Sequence, residues 1–160
     1  MFVLFYSVSF FTIIILNVMS YVIVGDSHVD NLNYKNKIAV RGSTSEYWLS
    51  QLRQFENERN AVICLGANDT YSPEETLKNI QKIAEIFEYA YVVEPPTRPN
   101  LKKHLQSAFK QRFIPFTLEG DVWNADKIHL NDIGSKLFLE SILEHINHRK
   151  VLVDNYSLFI

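Results

Sequence analysis

Short runs of β-branched and aromatic residues alternate along this chain with stretches of helical periodicity, and this alternation restricts the fold more than any other feature. Tyr21-Val22-Ile23-Val24, Ala61-Val62-Ile63-Cys64-Leu65 and Tyr89 to Glu94 are the clearest apolar runs. Runs of this length, closed off by Gly, Pro, Asn or Asp, read as strands buried on both faces. Lys37 to Val40 adds a short second strand and Phe113 to Leu118 a less regular fifth. Ser43-Thr44-Ser45-Glu46 has capping-box spacing and precedes Trp48, Leu52 and Phe55 on one helical face. Ser72-Pro73-Glu74-Glu75 starts another helix, ahead of Leu77, Ile80, Ile83, Ala84 and Phe87. Leu101, Leu105, Ala108 and Phe109 mark a third, and a last helix begins near Asn131 with Ile133, Leu137, Ile142 and Ile146. Strands alternating with helices predict an α/β fold, a parallel sheet covered on both faces. The interval from Ser27 to the second strand is too short for a full crossover helix and is read as mostly loop.

The chain has 160 residues, enough for one domain of ordinary size. Residues 21–150 form that domain, residues 1–20 an apolar leader and residues 151–160 a tail. A net charge of −2 leaves no electrostatic footprint for nucleic acid. Lys102, Lys103, Lys110 and Arg112 share one predicted helix and read as a solvated face. The one cysteine, Cys64, lies inside an apolar run and reads as a small buried hydrophobe. A disulfide within the chain and a cysteine-based zinc site are excluded, and no metal or cofactor is called for.

Residues 2–16 are almost unbroken apolar sequence without charge, and residues 17–20 are small or polar apart from Val18 and Met19. Three readings compete: a cleaved secretory signal, an uncleaved anchor associating with a membrane through residues 2–20, and a start site assigned too far upstream. The first two make the protein secreted or membrane-anchored. The third leaves it cytoplasmic. The absence of Lys or Arg before the run counts against an ordinary signal, and Lys35, Lys37 and Arg41 fall on the wrong side for a cytoplasmic N-terminus.

In a parallel sheet the C-terminal ends of all strands point to one edge, where open α/β folds hold their sites. Four chain breaks gather there: Asp26-Ser27, Gly42-Ser43, Gly66-Ala67-Asn68-Asp69, and the loop with Asp126 and His129. A serine hydroxyl needs an adjacent base to act as a nucleophile at neutral pH. His129 can take the proton on one ring nitrogen while Asp126, three positions earlier, holds the other. The Ser27 N–H, the Gly42 N–H and the Asn68 side-chain amide are candidate donors to a tetrahedral oxyanion. Singly, each motif has an ordinary reading as a turn or helix cap. Together, on one sheet edge, they read as one site.

These residues resemble those of the SGNH hydrolases, the GDSL-type esterases and lipases. Gly25-Asp26-Ser27 is similar to that family's first block, Gly42 to the second, Gly66-Ala67-Asn68-Asp69 to the third and Asp126-Lys127-Ile128-His129 to the last. The similarity spans about residues 21–147, with the blocks in order. It implies a three-layer α/β/α flavodoxin-like sandwich with a five-stranded parallel sheet of order 2-1-3-4-5. It also implies hydrolysis or transfer of ester-linked acyl groups without a metal. Ser27 is then the nucleophile, His129 the base and Asp126 its partner, with Ser27, Gly42 and Asn68 as the oxyanion hole. His28 departs from the leucine of the family's name. The short loop between Ser27 and Gly42 suggests a shallow site and a short acyl group, such as acetyl on a carbohydrate.

The substrate expected is therefore a small-molecule or carbohydrate ester. Alternatives are an acyltransferase on the same residues, decided by water exclusion, and a catalytically inactive binding module. A nucleotide-binding domain is disfavoured, since the first turn lacks Gly-x-Gly-x-x-Gly. Trp123 falls on a predicted loop at the active edge, either as a packing residue or as part of an acyl or sugar pocket. Arg98, His104, His145 and His148 read as surface residues, and Asp69 as a support for the loop after the third strand.

Overall fold

A computed structural model of the protein describes residues 20–157, with side chains to residue 148. The leader reading at residues 1–19 lies outside them. Five strands form one sheet, in chain order β1 (Val22–Gly25), β2 (Lys37–Ala39), β3 (Asn60–Cys64), β4 (Tyr89–Val93) and β5 (Phe113–Ile114). They pair in the order β2-β1-β3-β4-β5, and every pairing is parallel. The α-helices are α1 (Ser27–Asp30), α2 (Ser45–Leu49), α3 (Pro73–Ala84), α4 (Lys102–Phe109) and α5 (Asp132–Ser157).

Alternation along the strands divides the core in two. Val22, Val24, Ala61, Ile63, Ala90 and Val92 face one way and pack under α2, α3 and α4, against Trp48, Ile80, Ile83 and Leu105. Ile23, Val62, Cys64, Tyr91 and Val93 face the other way, beneath α1 and α5, against Val29, Phe138, Ile142 and Ile146. The architecture is therefore α/β/α in three layers. Cys64 is buried as expected, and burial raises its thiol pKa.

Several local expectations shift. Thr44, not Ser43, caps α2, because the Ser43 hydroxyl accepts a hydrogen bond from Trp48 Nε1 at 2.9 Å. The fifth strand stops at Ile114 rather than Leu118. Pro115 offers no N–H to a ladder, and the Phe116 N–H donates instead to Glu94 Oε2 at 3.0 Å. Ile133 and Leu137, expected inside, are 64% and 39% exposed, and Phe138 fills the core in their place. The interval after Ser27 holds one helical turn and then loop. Residues 151–157 of the tail continue α5. Among the described residues no helix is long and apolar enough to cross a membrane.

Candidate active site

The serine turn is dictated by Gly25 and Asp26. Gly25 ends β1 where α1 folds straight back onto the sheet. A Cβ there would stand 2.2 Å from Val29 Cγ2 and 2.7 Å from the Cys64 carbonyl oxygen, so only glycine fits. Asp26 caps α1, its Oδ1 accepting from the His28 N–H at 2.9 Å. Ser27 is then the first residue of the helix, with an N–H that has no intrahelical acceptor. Val29 and Leu32 anchor this segment in the core beneath.

The loop before α5 organises itself. Asp126 Oδ1 accepts from the Ile128 and His129 N–H groups, at 2.9 and 3.0 Å. This Asx turn holds Lys127 at a φ of 57°, a left-handed conformation. The other carboxylate oxygen, Oδ2, lies 2.7 Å from His129 Nδ1. Asn124 closes the loop, its N–H donating to the His129 carbonyl at 2.8 Å and its side chain to the Leu130 carbonyl at 3.2 Å. Trp123 pairs with Leu130 through the backbone, and its ring packs tilted against Phe116 at 5.8 Å. Gly134 lets α5 press against this loop, because a Cβ there would meet the Val122 carbonyl oxygen at 2.2 Å.

The two segments meet at the predicted edge. His129 Nε2 lies 3.1 Å from Ser27 Oγ, across 102 positions of sequence. Ser27, His129 and Asp126 therefore form a continuous chain, serine to imidazole to carboxylate. The imidazole hydrogen bond, followed by the two backbone donors, lowers the Asp126 pKa well below the carboxylate range. An ionised Asp126 holds the proton on Nδ1 and leaves Nε2 to accept from the serine.

The three candidate oxyanion donors differ among themselves. Gly42 sits at a φ of 73° in the turn closed by the Ser43 N–H and the Val40 carbonyl. Nothing stands within 4 Å of where its Cβ would be, so its face is open. The Asn68 amide is engaged: Nδ2 donates to Asp26 Oδ2 and to the Ser43 carbonyl, each at 3.1 Å. Asp26 is thus more than a turn residue, joining the serine turn to the Asn68 loop. Burial raises its pKa to about 6, against the lowering effect of its backbone donors.

Asp69 ties that loop to α2, accepting from the Ser45 N–H at 2.8 Å and from the Ser45 hydroxyl. Arg98 is a structural staple and not a free surface charge. It donates to the Gly66 carbonyl and Thr76 Oγ1, both at 3.1 Å, and to the Tyr71 carbonyl at 2.7 Å. His104 has an acidic neighbour after all, Glu74 at 3.8 Å. His145 is half-buried and packs edge-on against Tyr91, while His148 is exposed.

Sequence reasoning missed the roles of Asn124, Gly134 and Arg98. Asn124 offered a turn propensity two positions before Asp126; the other two depend on contacts distant in sequence. A cavity of about 570 Å³ lies elsewhere, between β5 and α5, and contains none of the triad. Among the described residues no group of three or more His, Cys, Asp or Glu side chains is arranged to hold a metal ion. No protein-family model matches the chain, and no curated protein matches its sequence.

Proposed function

We propose that the protein is a serine esterase of the SGNH hydrolase type, cleaving short ester-linked acyl groups through an acyl-enzyme. The observation that carries this reading is the unbroken contact chain from Ser27 Oγ through His129 to Asp126, at 3.1 and 2.7 Å. Ser27 Oγ attacks the ester carbonyl carbon while its proton passes to His129 Nε2. The carbonyl oxygen becomes an oxyanion, received by the Ser27 and Gly42 N–H groups. Asn68 joins them by exchanging one of its two present acceptors for the oxyanion. Collapse expels the alcohol, which takes the proton from His129. Water, deprotonated by the same imidazole, then releases the acid and restores the serine.

Asp126 is exposed and the His129 side chain is 31% exposed, so water reaches the base. This supports hydrolysis over transfer. The open face at Gly42 and the single turn of α1 support a small acyl group, including acetyl on a carbohydrate. The test is hydrolysis of short-chain aryl esters together with fluorophosphonate labelling, in wild type and Ser27→Ala. Wild type should turn over and label, and the variant should do neither. Wild-type protein that is folded but neither labels nor hydrolyses rules the reading out.

A further inference from the structure

His28 directly follows the serine, and the mechanism above gives it no task. Its side chain is 2% exposed. The ring Nδ1 is buried without a hydrogen-bond partner. An unpaired buried nitrogen is unfavourable, and an apolar side chain of similar size would avoid that penalty. Its ring packs on that of His129, with centroids 5.9 Å apart and planes inclined by 39°. That separation is typical of interacting ring pairs. The two rings stand on unlike supports. His28 belongs to the core-anchored turn of α1, whereas residues 124–128, leading into His129, are all exposed.

We infer that His28 is a positioning residue for the general base, its ring backing His129 so that Nε2 stays on Ser27 while Nδ1 stays on Asp126. The catalytic half of this inference rests on the esterase reading; the positioning half does not. The titratable groups facing His28 are His129 and Asp126 on the triad loop and Asp26 in its own turn. Burial, then the neighbouring His129, holds the His28 pKa down to about 4, with Asp126 opposing. The backing ring is therefore uncharged at neutral pH. His129 can accept the serine proton without a second cation against it.

Two variants separate the possibilities. His28→Phe keeps a ring and removes the titration, and His28→Ala removes the support. Two readings are taken: the low-field proton resonance of His129 Nδ1–H on Asp126 at pH 7, and the fluorophosphonate labelling rate against pH. The Phe variant should keep the resonance and label within about threefold of wild type. The Ala variant should broaden or lose the resonance and label at least about tenfold more slowly, as expected for a displaced base. If Ala does not fold, His28→Leu, which fills the volume without a planar ring, takes its place. An Ala or Leu variant with wild-type resonance and labelling overturns the inference, as does a Phe variant as impaired as Ala. Wild-type protein that never labels, while Ala still loses the resonance, leaves the positioning intact and removes the esterase reading alone.

Discussion

Gly25→Ala tests the geometry of the proposed nucleophile, Ser27, without touching a reacting atom. The new Cβ would lie 2.2 Å from Val29 Cγ2, 2.8 Å from Val29 Cβ and 2.7 Å from the Cys64 carbonyl oxygen. Carbon atoms in contact settle at roughly 3.5–4.0 Å, so the Val29 side chain must retreat by more than about 1 Å. It has little room, being fully buried under α5. The Cys64 carbonyl belongs to β3, between β1 and β4, and yields less readily. The turn carrying Ser27 must therefore lift from the sheet. Overpacking of this kind costs about 1–3 kcal/mol, which a domain of ordinary stability survives. A displacement near 1 Å breaks the 3.1 Å contact to His129 Nε2, and misplacement on that scale lowers rates about 100-fold. Chemical denaturation followed by circular dichroism reads the first effect and fluorophosphonate labelling the second. Adding Val29→Ala removes the closest clash, with Val29 Cγ2, and should recover part of the labelling rate, leaving the contacts with the residue-29 Cβ and the Cys64 carbonyl. A Gly25→Ala protein with wild-type midpoint and wild-type labelling would refute this account of the turn.

Further outcomes follow from the same contacts. Asp126→Asn leaves the loop foldable but can present an amide N–H to His129 Nδ1, favouring the wrong tautomer; labelling should fall by about 10³–10⁴-fold, and a loss under tenfold contradicts the triad. Arg98→Met removes three hydrogen bonds, two to the Asn68 loop and one to Thr76 of α3, and should destabilise the protein by roughly 2–3 kcal/mol, with faster protease cleavage between residues 66 and 72 as the local readout. Asp26 and His28 pull stability in opposite directions with pH. The raised Asp26 pKa, from 3.8 to about 6, gives stability present below pH 4 and lost as pH rises to about 6. The lowered His28 pKa, from 6.5 to about 4, gives stability present above pH 6.5 and lost as pH falls to about 4. Each is worth about 3 kcal/mol, so wild-type stability should be nearly flat across this window. In urea titrations at several pH values, His28→Phe should lose stability as pH rises from 4 to 6, and Asp26→Asn should gain it; two flat profiles would contradict both expectations.

The features legible from sequence are those with local causes. Strand runs such as Val22 to Val24 and Ala61 to Cys64 announce themselves because burial on both faces demands unbroken apolar residues. The Ser72 cap is readable because cap, proline and glutamate lie within four positions. The Asp126–His129 pair is readable because an Asx turn brings the two together locally. What fails depends on partners far away in space or in the chain. Ser43 gives up a capping role to the Trp48 indole, and the fifth strand ends early because Glu94 captures the Phe116 N–H. On α5, Ile142 and Ile146 are buried as expected, but nearer its start Ile133 and Leu137 are exposed and Phe138 is buried, because all three are apolar and periodicity alone does not choose among them. Arg98 resembles any surface cation until its three acceptors, all from the stretch 66–76, are in view.

The 102 positions between Ser27 and His129 bear on when the protein becomes reactive. Joining ends so far apart carries a closure entropy of about 4 kcal/mol, which the short contact between serine and imidazole does not repay alone. Docking of α5 against Val62, Tyr91 and Val93 must supply it. On the ribosome the serine turn and its sheet neighbours emerge first and the base much later. On the proposed reading, the growing chain therefore carries Ser27 unactivated until the final helix seats, and acyl chemistry is withheld until folding is complete.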